Sequence, residues 1–223
     1  MSATPLALFD LDHTLLDGDS DSLWGRFLVR EGVVDAKEYA AANARYHADY
    51  VAGRLDVQEF LAFGLRPLRD NPPETLYAWR ERFVAECIRP RIPQASRALL
   101  ARHAGHTRII ITATNSFVTT PIAAEFGVEH LIATEPEQQD GRFTGGVAGP
   151  PCFREGKVQK LEAWLASRAL TAGERWFYSD SHNDLPLLER VEHPVAVNPD
   201  PVLAEIARER GWPTLQLRLA GAA

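Results

Sequence analysis

The chain has 223 residues, 45% of them hydrophobic, and a formal net charge of −6 at pH 7. That length gives one sizeable core plus a smaller unit, and an acidic balance without a Lys/Arg run argues against a nucleic-acid footprint. Cys87 and Cys152 lack metal-site spacing and read as reduced thiols; residues 1–5 lack a basic n-region, the apolar run after them is too short for a signal peptide, and no stretch could span a bilayer, so a cytoplasmic protein without membrane partners is expected.

The first predicted element is a strand over residues 6–9, an apolar run ending at Asp10 and Asp12. Such a run suits a parallel strand covered on both faces, whose carboxyl end is where open α/β sheets bind ligands. If the extended geometry persists, period two puts Asp10 and Asp12 on one side. Two acids in one small volume are costly without a cation or a proton. A carboxylate nucleophile, a second carboxyl as acid/base and a hard metal ion together explain the arrangement; a strand followed by an Asp-rich turn is the plainer reading.

Helices are predicted at residues 20–30, 35–51, 56–63 and 73–88, punctuated by Gly32, Gly53 and Pro72-Pro73, with Asp56 and Glu59 forming a capping-box-like start. The aromatics Trp24, Phe27, Tyr46, Tyr50, Phe60, Phe63, Trp79 and Phe83 read as the core of this helical insertion. Strand and helix then alternate, which implies a parallel sheet with right-handed crossovers. Strands are expected at 109–112, 131–133, 176–179 and 195–197, a hairpin turn at Gln139-Asp140-Gly141-Arg142, and a loose tail at 220–223.

Three of these later segments end in residues with a catalytic use. The run to Thr112 ends in hydroxyls which, with backbone N–H groups near Ser116, could grip phosphate oxygens. Lys157 falls in the first turn of a helix, where the dipole disfavours cations, so it wants an anionic partner; a solvated surface lysine is the plainer reading. In Ser179-Asp180-Ser181-His182-Asn183-Asp184, Asp180 is a second candidate metal ligand, with Asn183 and Asp184 placed to orient it or its waters. His13 and His182 lie inside these segments, but a hard magnesium site prefers oxygen ligands; the other histidines read as surface or cap residues.

In this order the segments resemble the haloacid dehalogenase superfamily of phosphohydrolases, and within it the phosphoserine-phosphatase-like branch, over nearly the whole chain. The resemblance implies an α/β fold: a Rossmann-like parallel sheet core at residues 1–16 and 93–223, with an inserted all-helical cap at 17–92. It implies that Asp10 is the nucleophile, Asp12 the acid/base, and Thr112 and Lys157 the phosphate-binding pair. Mg²⁺ is then held by Asp10, Asp180 and the Asp12 carbonyl, with Asn183 and Asp184 behind them. The branch's usual G-D-G-x-N-D reads S-D-S-H-N-D here, and Thr112-Ala113-Thr114 replaces a hydroxyl residue followed by two glycines. An acid at Asp12 favours a phosphatase or phosphotransferase, because a poor alkoxide leaving group needs a proton.

The expected activity is Mg²⁺-dependent hydrolysis of a small phosphorylated metabolite, such as amine-bearing phosphoserine or histidinol phosphate, through an aspartyl phosphate. Phosphoryl transfer to another acceptor and a catalytically silent phosphate-binding module are the alternatives. Asp19 lies nine residues after Asp10, the offset at which the branch carries an acid that meets the substrate's amino group; the same residue also suits a cap for the following helix.

Overall fold

A computed structural model describes residues 3–219 of the chain; the tail expected at 220–223 lies outside the described residues. Along the chain run β1 (Thr4–Phe9), β2 (Thr107–Asn115), β3 (His130–Thr134), the hairpin β4 (Pro136–Gln139) and β5 (Arg142–Val147), then β6 (Ala172–Ser179), β7 (His193–Val197) and β8 (Thr214–Leu215). Apart from the hairpin they form one sheet in the order β3-β2-β1-β6-β7-β8, every neighbouring pair parallel. The sheet is buried on both faces, as the continuous apolar strands require. From β1, Ala7 and Phe9 join one apolar cluster while Leu6 and Leu8 join the other.

Between β1 and β2 the chain is helical: α1 (Ser20–Arg30), α2 (Ala36–Val51), α3 (Val57–Gly64), α4 (Arg66–Asp70), α5 (Pro73–Phe83) and α6 (Gln94–Arg102). Aspartates start the first three, Asp19, Asp35 and Asp56 each accepting from backbone N–H groups of the first turn. Glu59 does not complete the expected capping box; its carboxylate pairs with Arg45 at 2.7 Å instead. The helix expected to reach residue 88 changes at Val84 into a π turn, Val84–Ile88, and then a 3-10 turn, Arg89–Arg91, before α6. The short α4, which carries Pro67 in its first turn, was not anticipated. The aromatics of the insertion do not form a separate core: Trp24, Phe27 and Phe83 belong to the cluster that holds Phe9 and Ile110, joined through Leu11, Leu15 and Phe117.

After β2 come α7 (Ser116–Glu125), α8 (Glu155–Ser167), α9 (Leu185–Leu188) and α10 (Pro201–Arg210). Asp140 and Gly141 take φ of 50° and 76°, the paired left-handed residues that a tight Asp-Gly hairpin requires. That hairpin leans on the helical insertion, where Gly145 meets the side chain of Arg69. No helix among the described residues is long and apolar enough to cross a membrane.

Candidate active site

Strand β1 lies between β2 and β6, and the chain leaves it toward β2 on one side before returning to β6 on the other. This is the point in an open parallel sheet where a crevice opens beyond the carboxyl ends. Asp10 is the first residue past β1, fixed by its N–H donating to the Tyr178 carbonyl at 2.9 Å. Its carboxylate is buried, 7% exposed, and accepts from Lys157 Nζ at 2.8 Å and from Thr14 Oγ1 at 3.2 Å. The anionic partner expected for Lys157 is therefore double: its ammonium also donates to Asp184 Oδ2 at 2.7 Å. Burial opposes the charge on Lys157, but Asp10 and Asp184 outweigh it and hold the ammonium above its ordinary range.

The extended geometry does not persist to Asp12. The strand ends at Phe9, and a turn in which the N–H groups of Thr14, Leu15 and Leu16 all donate to the Leu11 carbonyl swings the chain away. Asp10 therefore faces Lys157, whereas Asp12 faces the first turn of α1 and the end of β2: it accepts from the Ser20 N–H at 2.7 Å and from Thr114 Oγ1 at 2.8 Å. The two acids still feel each other's charge. Asp180 follows β6, and Thr14 Oγ1 lies 3.3 Å from its carboxylate, so one hydroxyl sits between Asp10 and Asp180.

The charge balance of this cluster is negative, with Asp10, Asp12, Asp180 and Asp184 facing the single ammonium of Lys157. Burial, then Asp184 and Asp12, outweigh Lys157 and raise Asp10 to about 7. Burial and Asp19 raise Asp12 to about 6, and burial with Asp10 and Asp184 holds Asp180 well above the carboxylate range. A divalent cation between Asp10 and Asp180 would relieve that repulsion, and an all-oxygen donor set suits Mg²⁺. The carboxylates of Asp10 and Asp180, both within reach of Thr14 Oγ1, would be the side chains to hold it.

Thr112 is buried, and its Oγ1 accepts the Thr114 N–H at 3.2 Å, which leaves its proton free to donate. Asp19 caps α1, accepting from the Ser22 N–H at 2.9 Å. Asn183 and Asp184 occupy a 3-10 turn capped by Ser181. Asp184 is tied to Lys157 and to Ser179 Oγ at 2.6 Å, while Asn183 turns toward the insertion, accepting from Arg154 Nε at 3.0 Å and donating to the Tyr50 carbonyl at 3.2 Å. His182 bonds Asp200 through Nδ1 at 2.8 Å, and His13 takes a φ of 56° in the turn after Asp12.

Thr14, Thr114, Ser179, Tyr50 and Arg154 were missed from sequence. Thr14 was detectable, four residues after Asp10 in the pattern D-x-D-x-T. Tyr50 was grouped with the core aromatics, yet its hydroxyl donates to Ser181 at 2.8 Å. Arg154 carries no sequence signal: it adopts a φ of 51° and reaches the Gly53 carbonyl. The other histidines read as surface or cap residues, but His103 is buried edge-on against the stacked rings of Phe9 and Tyr178, its Nε2 2.7 Å from the tyrosine hydroxyl.

The family of haloacid dehalogenase-like hydrolases matches residues 7–189. The chain belongs to that family. A histidinol-phosphatase of Neisseria meningitidis serogroup C is 45% identical over 96% of this chain and 99% of its own length. A phosphoserine phosphatase of Mycobacterium tuberculosis is 32% identical over 97% of this chain and 72% of its own. Among solved structures, a protein of unknown function from Bordetella pertussis Tohama I superposes with a TM-score of 0.91 at 47% identity, covering 97% of this chain and all of that one. In this haloacid dehalogenase-like phosphatase the helices α1–α5 lie in the chain between β1 and β2, with Ser20 bonded to Asp12 after β1 and Tyr50 to Ser181 after β6.

Proposed function

We propose that the protein hydrolyses histidinol phosphate through an aspartyl phosphate formed on Asp10. The observation that carries the reaction type is the buried contact of Asp10 with Lys157 and Thr14 at the carboxyl end of β1. The substrate is supported by the histidinol-phosphatase relative, which matches nearly end to end. Asp10 attacks phosphorus in line, and the ester oxygen leaves as Asp12 gives it a proton. A carboxyl raised to about 6 can donate and then, ionised, take a proton from the water that cleaves the aspartyl phosphate. Two of the three Lys157 donors are engaged with Asp10 and Asp184; the third, with the free Thr112 proton, meets the equatorial phosphoryl oxygens. Mg²⁺, when bound by Asp10, Asp180 and the Asp12 carbonyl, supplies positive charge to the transferring group.

O-phosphoserine is the second reading, favoured by the Mycobacterium relative. Free-phosphate release from a panel of phosphorylated metabolites, with Mg²⁺ and with EDTA, tests both. The expected result is Mg²⁺-dependent release, fastest from histidinol phosphate. Preference for phosphoserine would replace the substrate, phosphoryl transfer to added alcohols without free phosphate would make the protein a transferase, and no turnover of any ester would leave a silent phosphate-binding module.

A further inference from the structure

We propose that the cavity enclosed by α1–α4 receives the cationic part of the substrate's leaving group, with Asp21 as its counter-charge. The inference rests on the phosphomonoesterase reading above and deepens it. Neighbouring residues at the start of α1 serve the two places, and the charge of Asp12 is felt at Asp21. Its Ser20 N–H holds Asp12, the group that protonates the leaving oxygen, and the next residue, Asp21, lines a cavity of about 40 Å³. That is room for roughly three waters, the scale of an ammonium group or a five-membered ring.

The walls are aromatic, formed by Trp24, Tyr39, Tyr46, Phe60 and Phe63, whose ring faces attract cations as well as apolar groups. Gly25 makes one wall possible, because a Cβ there would stand 2.2 Å from the Tyr39 ring. Of the three acids at the start of α1, two are committed. Asp12 accepts from Ser20 and Thr114, and Asp19 accepts from Ser22. Asp21 accepts no hydrogen bond among the described residues, and burial with the charges of Asp19 and Asp12 raises its carboxyl to about 8. An uncompensated acid facing an aromatic cavity is costly alone and is relieved by a cation.

The same cavity offers little to a carboxylate. Its one lining cation among the described residues, Arg66, donates to Glu38 at 2.7 Å and lies 4.5 Å over the Phe63 ring. The chemistry selected is therefore a phosphate ester whose alcohol carries an amine or imidazole and no carboxylate.

The test compares kcat/KM of the wild type and Asp21→Asn for histidinol phosphate, phosphoethanolamine and para-nitrophenyl phosphate. The ratio of cationic to uncharged ester should fall on the order of 30-fold, mostly through KM, and inhibition of para-nitrophenyl phosphate turnover by L-histidinol should weaken in parallel. Asp21→Glu should restore part of the ratio. Because Asp21 supports no hydrogen bond, the thermal midpoint of Asp21→Asn should equal or exceed that of the wild type; a purely structural acid would lower it. An unchanged ratio, or a wild type that favours neither cationic ester, overturns the proposal. The two readings fail separately: a wild type that prefers another phosphate to histidinol phosphate refutes that substrate, while phosphoethanolamine still judges Asp21.

Discussion

Asp12 and Asp180 share one acidic cluster but face different partners, so single substitutions should separate their roles. Asp12 engages Ser20 and Thr114 through its side chain, so the proposed metal contact is left to its carbonyl. Asp12→Ala should therefore cost about 10²-fold to 10⁴-fold in kcat, the usual value of a positioned proton carrier, with the Mg²⁺ concentration for half-maximal activity little changed. Asp180→Asn should raise that concentration at least about tenfold. Mg²⁺ titrations of initial rate check both, and the reverse pattern would exchange the two roles. The acids were legible because apolar runs that stop at carboxylates are rare and costly. Ser179 was not, because a hydroxyl beside an acid is equally a cap, and only the fold shows that it holds Asp184. Asp19 was legible as either a cap or a substrate contact; the structure shows it in the cap geometry.

At the scale of elements, the end of α2 is fastened to the loop after β6. The Tyr50 hydroxyl donates to Ser181, Asn183 donates to the Tyr50 carbonyl, and Arg154 spans Asn183 and the Gly53 carbonyl. The insertion and the loop that carries Asp180 are thus tied together by polar contacts. Arg154→Ala removes the central tie and should speed amide exchange at residues 50–54 while β1 and β6 keep their protection, as read by hydrogen-exchange mass spectrometry. Equal protection in both proteins would mean that Arg154 does not hold the insertion. Helix starts were readable because Asp19, Asp35 and Asp56 each satisfy first-turn N–H groups with a short side chain. The Arg154 tie was not, because it depends on a positive φ at a residue that gives no local sign of it.

Over the whole molecule, one apolar cluster runs from the face of β1 into the insertion, and His103 is buried against it. Burial, then His106 and nearby arginines, lowers His103 to about 4. In the unfolded chain a histidine protonates near about 6.5, so below that pH the unfolded state binds more protons and the fold loses stability until about pH 4. The stability linked to neutral His103 is complete above about pH 6.5, and roughly 2 kcal/mol of it should disappear between about pH 7 and about pH 5. Urea denaturation of the wild type and His103→Gln at the two pH values isolates this contribution as the difference between their slopes, because the raised carboxyls of Asp10, Asp12 and Asp21 act alike, and with the opposite sign, in both proteins; parallel slopes would remove His103 as the cause. The parallel sheet and the helical insertion were legible from patterning alone, whereas the fusion of their cores and the burial of His103 depend on contacts between residues far apart in sequence.

The account turns on a covalent bond between Asp10 and phosphorus. Rapid quenching during turnover of histidinol phosphate, followed by borohydride reduction and peptide mass spectrometry, reads that bond directly, because an aspartyl phosphate is reduced to homoserine. The predicted result is substrate-dependent conversion of Asp10 alone, absent in Asp10→Asn, which should also release no phosphate. Full phosphate release by Asp10→Asn, or the reduced residue at another position, would contradict it.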